Sequence, residues 1–190
     1  VAFSSIKVLN DESRRGLQGQ LLTALDWCVE NGIRLVNMSL GSIDFRDYEP
    51  IRAAVNRAAR QGMIIVAACH NRDIFTCPAS LTNVIGVKCE KFSRRPMLTK
   101  CQNIYHDQAP DGVEVTASGA HYLRKYDGDG KETFPSNSFA APVVTALVYR
   151  MLCRRPGMSL EEIKAELRRG SQRPGMAKWS VSWRRLDPLH

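Results

Sequence analysis

With 190 residues, 44% of them hydrophobic and 24% charged, the chain has the composition of one globular domain, residues 1–190, with a sizeable core. Its longest apolar runs, Met63 to Cys69 and Ala140 to Leu147, are far too short for a bilayer, and the first residues lack the basic-then-apolar pattern of an export signal, so no membrane association is expected. The formal net charge is +8, with basic residues concentrated in the segment 154–190 (Arg154-Arg155, Arg168-Arg169, Arg173, Lys178, Arg184-Arg185); no nucleic-acid-binding motif accompanies them, so the expectation is a solvated face and no nucleic acid partner.

Taken in order, Ser5-Ile6-Lys7-Val8-Leu9 alternates like a strand already under way, which implies a domain that extends upstream, and Asn10 to Ser13 supplies turn residues. Leu17, Leu21, Ala24, Leu25, Cys28 and Val29 recur at helical spacing, with Asn31-Gly32 as the stop. A strand follows over Ile33 to Gly41. After a connection at Phe45 to Glu49, Pro50 suits the first turn of a helix whose apolar face is Ile51, Ala54, Val55, Ala58 and Ala59 and which Gly62 ends. Met63 to Ala68 is apolar throughout, as strands are when helices cover both faces of a parallel sheet. Strands and helices alternating at these lengths form right-handed βαβ units, so the expected class is α/β, an open sheet that binds ligands at the carboxyl ends of its strands. Those ends read Ser39-Leu40-Gly41 and Cys69-His70-Asn71-Arg72.

Further along, Gly128-Asp129-Gly130 is a turn, and Asp127 with Asp129 is too few carboxylates for calcium, so no metal or cofactor is expected. Ser159-Leu160-Glu161-Glu162 has the form of a capping box opening an amphipathic surface helix through Ile163, Leu167 and Arg169 to Gly170. Trp179, Val181, Trp183 and Leu186 alternate as a final short strand or arm. The six cysteines (Cys28, Cys69, Cys77, Cys89, Cys101, Cys153) show no zinc spacing. Cys89 and Cys101 flank a loop and can pair in an oxidising compartment; free buried thiols in a reducing cytoplasm fit the pattern at least as well.

Chemistry is expected at Pro135-Ser136-Asn137-Ser138-Phe139-Ala140-Ala141-Pro142, which runs into apolar Val143 to Val148. A serine where a loop becomes a helix stands at the positive end of the macrodipole, beside unpaired backbone N–H groups, which favours a nucleophile. The apolar run predicts a buried helix, with Pro142 tolerated in its first turn. Alone, the stretch favours the plainer reading, a core helix with Ser138 for its N-cap.

The stretch resembles the nucleophile motif of the subtilisin-like serine proteases, in which Gly-Thr-Ser precedes an apolar residue, Ala, a small residue and Pro; Ser136-Asn137 here replace Gly-Thr. Further blocks resemble that family in order: Asn37-Met38-Ser39-Leu40-Gly41, Ala67-Ala68-Cys69-His70-Asn71, Pro78-Ala79-Ser80 with Asn83 to Val87, and Ala109-Pro110-Asp111-Gly112-Val113. The resemblance implies the three-layer, doubly wound, mostly parallel subtilisin-like sheet, of which residues 5–170 correspond to the C-terminal two-thirds, the N-terminal part of that domain lying outside them. It implies Ser138 as nucleophile of a peptide-bond hydrolase and Asn71 as side-chain donor of the oxyanion hole. It also implies Ser39, Leu40 and Gly41, with Ala67, Ala68 and Cys69, as walls of the pocket for the substrate residue before the cleaved bond, which Arg72 and Thr76 border. His70 stands where the family has Gly. In that pocket Arg72 can pair with an acidic side chain.

The family's Asp and His come earlier than the block matched by Ile6 to Leu9, and none of His70, His106, His121 and His190 stands in a His-Gly-Thr context. The resemblance thus implies an incomplete triad, completed by upstream sequence or a second chain, with a peptide or protein as substrate. The competing expectation is an inactive, protease-like module that holds peptides: Ser138 and Asn71 favour the enzyme, Ser136 and His70 in place of glycines the binder.

Overall fold

The computed structural model describes residues 2–9, 17–72, 74–89, 104–107, 109, 111–124 and 128–171. Helix α1 (Leu17–Glu30) leads into strand β1 (Leu35–Met38), helix α2 (Tyr48–Arg60) and strand β2 (Ile64–Ala68). Gly32 and Gly62 stop the two helices at φ 64° and 79°, where a side chain would be strained. Strands β3 (Ile85–Cys89), β4 (Ile104–Tyr105) and β5 (Val115–Ala117) follow, then a hairpin of β6 (Tyr122–Arg124) and β7 (Gly130–Glu132), and the helices α3 (Asn137–Arg154) and α4 (Leu160–Ser171). The main sheet has the order β1-β2-β3-β5-β4, parallel except for β4, which pairs antiparallel with β5.

Successive strand residues point to opposite faces, and that period of two divides the interior. Val36 and Met38, Ile65 and Ala67 face α1 and α2, where they meet Leu21, Leu25, Ile51, Val55 and Ala58. Leu35, Ile64, Val66, Ala68, Ile85, Val87 and Val115 face the other way, against Ala140, Ala141, Val144 and Val148 of α3 and Ile163 and Leu167 of α4. Helix α3 crosses β1, β2, β3 and β5, which sets its amino end over the carboxyl edge of the sheet. The capping box opens α4, with Ser159 N–H donating to Glu162 Oε2 (2.8 Å) and Glu162 N–H to Ser159 Oγ (3.2 Å).

Several expectations are corrected. Residues 5–9 form no strand; their backbone is irregular, and of their side chains only Val8 is buried. Alternation decides which side chains share a face, but a strand needs a neighbouring strand to form a ladder with, and among the described residues no ladder includes this segment. Helix α3 is not buried all round: Pro142, Ala146, Tyr149 and Cys153 make an exposed stripe. Pro142 lies in the second turn rather than the first. A proline there costs about 3 kcal/mol or more, which burial of Val144, Leu147, Val148 and Leu152 outweighs at about 1.5–3 kcal/mol each. The turn at Gly128 belongs to the β6–β7 hairpin, absent from the sequence reading. Asn10 to Ser13, Cys101, Asp127, Arg173, Lys178, Arg184, Arg185, His190 and the arm from Trp179 to Leu186 lie outside the described residues.

Candidate active site

The carboxyl ends of β1 and β2 converge on the amino end of α3. Ser136, not Ser138, occupies the N-cap position, and its hydroxyl makes no capping bond. The cap comes from another loop: Asn71 Oδ1 accepts the Asn137 backbone N–H at 2.9 Å. With Oδ1 so committed, Nδ2 is the donor that the exposed Asn71 side chain has left to offer. Neither Nδ2 of Asn71 nor the N–H of Ser138 meets an acceptor among the described residues, so two donors remain open at the positive end of α3.

Ser138, half-buried, is tied to Ser39 in both directions. Its Oγ donates to the Ser39 carbonyl at 3.1 Å, and Ser39 Oγ donates to the Ser138 carbonyl at 2.9 Å. The second bond follows from Pro142, which lacks the N–H that the carbonyl four residues earlier would have taken. Asn37 and Ser39 can reach α3 because the period of two puts them on that face of β1. Asn37 Nδ2 donates to Ser39 Oγ (3.1 Å), and Asn37 Oδ1 accepts from Thr145 Oγ1 (2.9 Å) on α3.

Beyond β2, the His70 N–H donates to Thr76 Oγ1 (2.9 Å), whose own hydrogen goes to the Ile74 carbonyl (2.8 Å), and the Arg72 N–H donates to His70 Nδ1 (3.2 Å). Those bonds set the path of the loop that carries Asn71. Ala67, Ala68, Cys69 and Thr76 are buried, whereas Ser39, Leu40 and Gly41 are half-buried and Arg72 is exposed. Gly41 is where the two segments touch: a Cβ there would stand 2.8 Å from both the Cys77 carbonyl and the Thr76 methyl, and Ser42 and Cys77 form an antiparallel bridge beside it. Burial pushes the Cys77 thiol up to about 12, helped by the charge of Asp47, which keeps it in the protonated form near neutral pH.

No described histidine hydrogen-bonds Ser138. His70 Nδ1 takes the Arg72 N–H, His106 Nε2 pairs with Thr116 Oγ1 (2.8 Å), and His121 Nε2 pairs with the Phe139 carbonyl (2.9 Å). Asn37, Thr145 and Asn137 escaped the sequence reading. The side chain of Asn137 is 3% exposed; its Oδ1 accepts the Cys89 N–H at 2.6 Å, and its Nδ2 faces the carbonyls of Cys69 (3.2 Å) and His70 (3.0 Å) and Cys69 Sγ (3.0 Å). Its trace in the sequence is its place directly before Ser138 in the motif, where it replaces a threonine, which says nothing of the bonds it makes.

A serine and an asparagine brought together at a helix amino end, over the carboxyl edge of a parallel sheet, agree with the family comparison: the model of the subtilase family (Peptidase_S8) matches residues 3–180. The chain belongs to the subtilase family. Among curated subtilases it is 29% identical over 172 residues to minor extracellular protease Epr of Bacillus subtilis (strain 168), an alignment covering 87% of this chain and 24% of that protein. It is 24% identical over 173 residues to subtilisin DY of Bacillus licheniformis, covering 88% and 60%. Among solved structures, Sphericase superposes with a TM-score of 0.59 at 24% identity, covering 80% of this chain and 53% of that one, a likeness of fold. The chain thus spans between about a quarter and three-fifths of the length of these relatives.

Proposed function

We propose that this chain supplies the nucleophile and oxyanion hole of a subtilisin-like serine endopeptidase, with the base and its carboxylate coming from upstream sequence or a second chain. The observation that carries the reading is the pair of open donors, Asn71 Nδ2 and the Ser138 N–H, joined through the Asn137 N–H at the amino end of α3. In this mechanism a histidine takes the Ser138 proton as Oγ leaves the Ser39 carbonyl and attacks the peptide carbon. The freed Ser39 carbonyl accepts an N–H of the substrate backbone, laid down as an added strand. Charge developing on the former carbonyl oxygen is met by the two donors, and the protonated histidine releases the amine, leaving an acyl-enzyme on Ser138 that water cleaves.

The test uses the intact protein. A fluorophosphonate should label Ser138, and Ser138→Ala should remove both labelling and peptide hydrolysis, a loss of roughly 10⁶-fold in kcat. The isolated 190-residue chain should not turn over peptides, because the triad fails as a unit. Hydrolysis by the intact protein that survives Ser138→Ala would overturn the reading. The second reading, a peptide-holding module, draws on the bond from Ser138 Oγ to the Ser39 carbonyl, which leaves the hydroxyl engaged with backbone. Peptide binding by an intact protein that neither labels nor hydrolyses would decide for it.

A further inference from the structure

We propose that Asn137 is a positioning residue for the oxyanion hole: its one buried side chain locks the amino end of α3 to the ends of β2 and β3, and thereby aligns both donors. The proposal rests on the reading of Ser138 and Asn71 given above. The Asn137 backbone N–H holds Asn71 Oδ1 at 2.9 Å, so any shift of Asn137 swings the Asn71 amide; the next N–H along the chain is that of Ser138. What keeps Asn137 still is a set of bonds that only a primary amide can make. Oδ1 accepts the N–H of Cys89, the last residue of β3, at 2.6 Å. Nδ2, with two hydrogens, faces the Cys69 carbonyl, the His70 carbonyl and Cys69 Sγ, all just past the end of β2. One planar group, in a residue only 3% exposed, therefore joins two neighbouring strands to a helix, and an amide so buried loses more when its bonds are broken than one in water.

The chemistry of the set defines the substitutions that probe it. Asn137→Asp keeps the shape but replaces the donor by an acceptor facing two carbonyls and a sulfur. Asn137→Ser keeps one hydroxyl, introduces no charge, and serves if the aspartate variant fails to fold. In the intact protein, each variant should lower kcat by about 10- to 100-fold with KM little changed, since misaligned donors weaken only the interaction with developing charge. Affinity for a peptide boronate, whose tetrahedral anion stands in for the intermediate, should fall in step with kcat/KM. Because Asn137 acts through Asn71, the double variant Asn71→Ala, Asn137→Ser should lose less than the product of the single losses.

A second measurement needs no turnover. Hydrogen exchange at the Asn137 and Cys89 amides, which donate to Asn71 Oδ1 and to Asn137 Oδ1, should quicken at least tenfold in Asn137→Ser, while exchange within α2 stays as in the parent. Unchanged local exchange, or fully multiplicative losses with Asn71→Ala, overturns the proposal even where the parent is an active protease. A parent that does not label at Ser138 overturns the catalytic reading instead, and exchange then decides whether Asn137 fastens the helix start.

Discussion

The two faces of the sheet are closed by different means. On the face of α1 and α2 the contacts are almost wholly apolar, with Leu21, Leu25, Ile51 and Val55 packed on β1 and β2, and the helices stop at glycines with positive φ. On the face of α3 a comparable apolar core is overlaid, at the carboxyl edge, by polar bonds through Asn37, Ser39, Asn71, Asn137 and Thr145. Apolar contact fixes which elements touch and tolerates small displacements, whereas hydrogen bonds at 2.6–3.2 Å fix atoms. A core of the first kind yields stability; holding a donor where charge develops needs the second.

That contrast can be broken experimentally. The largest effect is expected on the polar side: in the intact protein Asn71→Leu should lower kcat by about 10²- to 10³-fold with little change in KM, as read from initial rates over a substrate series. A rise in KM alone would show Asn71 holding substrate rather than charge. On the apolar side, Ile51→Ala, at a fully buried position of α2, should cost about 2–5 kcal/mol in denaturant or thermal unfolding, yet leave kcat close to that of the parent at temperatures where the protein stays folded. A matching collapse of kcat would mean that the two faces are not separable.

A smaller effect should come from the fastening between β3 and the loop before β5. Burial raises the Asp111 carboxyl, but bonds from Lys88 and from the Val113 N–H (3.2 Å), with the Lys88 charge, outweigh it and leave Asp111 below the usual carboxylate range. A depressed carboxylate stabilises the fold above its unfolded value, about 4, and loses that contribution as pH falls through the lower folded value. The stability difference between parent and Asp111→Asn should therefore be constant above about pH 5 and shrink on acidification; a difference that grows with acid would reverse the sign of the coupling. The smallest effect is at Arg72. If its guanidinium meets the substrate residue before the cleaved bond, Arg72→Glu should shift the ratio of kcat/KM for Glu over Lys peptides, by less than about fivefold for an exposed pair. An unchanged ratio would leave specificity to the Ser39 segment and Thr76.

The sequence by itself determined the α/β class, the extents of α1, α2, β2 and α4, and the subtilase family, because period, helix stops and a capping box are local and the family blocks stand in order along the chain. Only the tertiary structure decided the rest, since it depends on what lies opposite a residue. Ser5 to Leu9 has the alternation of a strand but no ladder among the described residues, and Pro142 is accommodated because Ser39, distant in sequence, satisfies the carbonyl it leaves open. Asn137 shows in the sequence only as a replacement for the motif's threonine, and its role emerges where β2 and β3 end around it; a hydrogen-bonding set drawn from separate strands has no period to read, and only folding brings its members within reach.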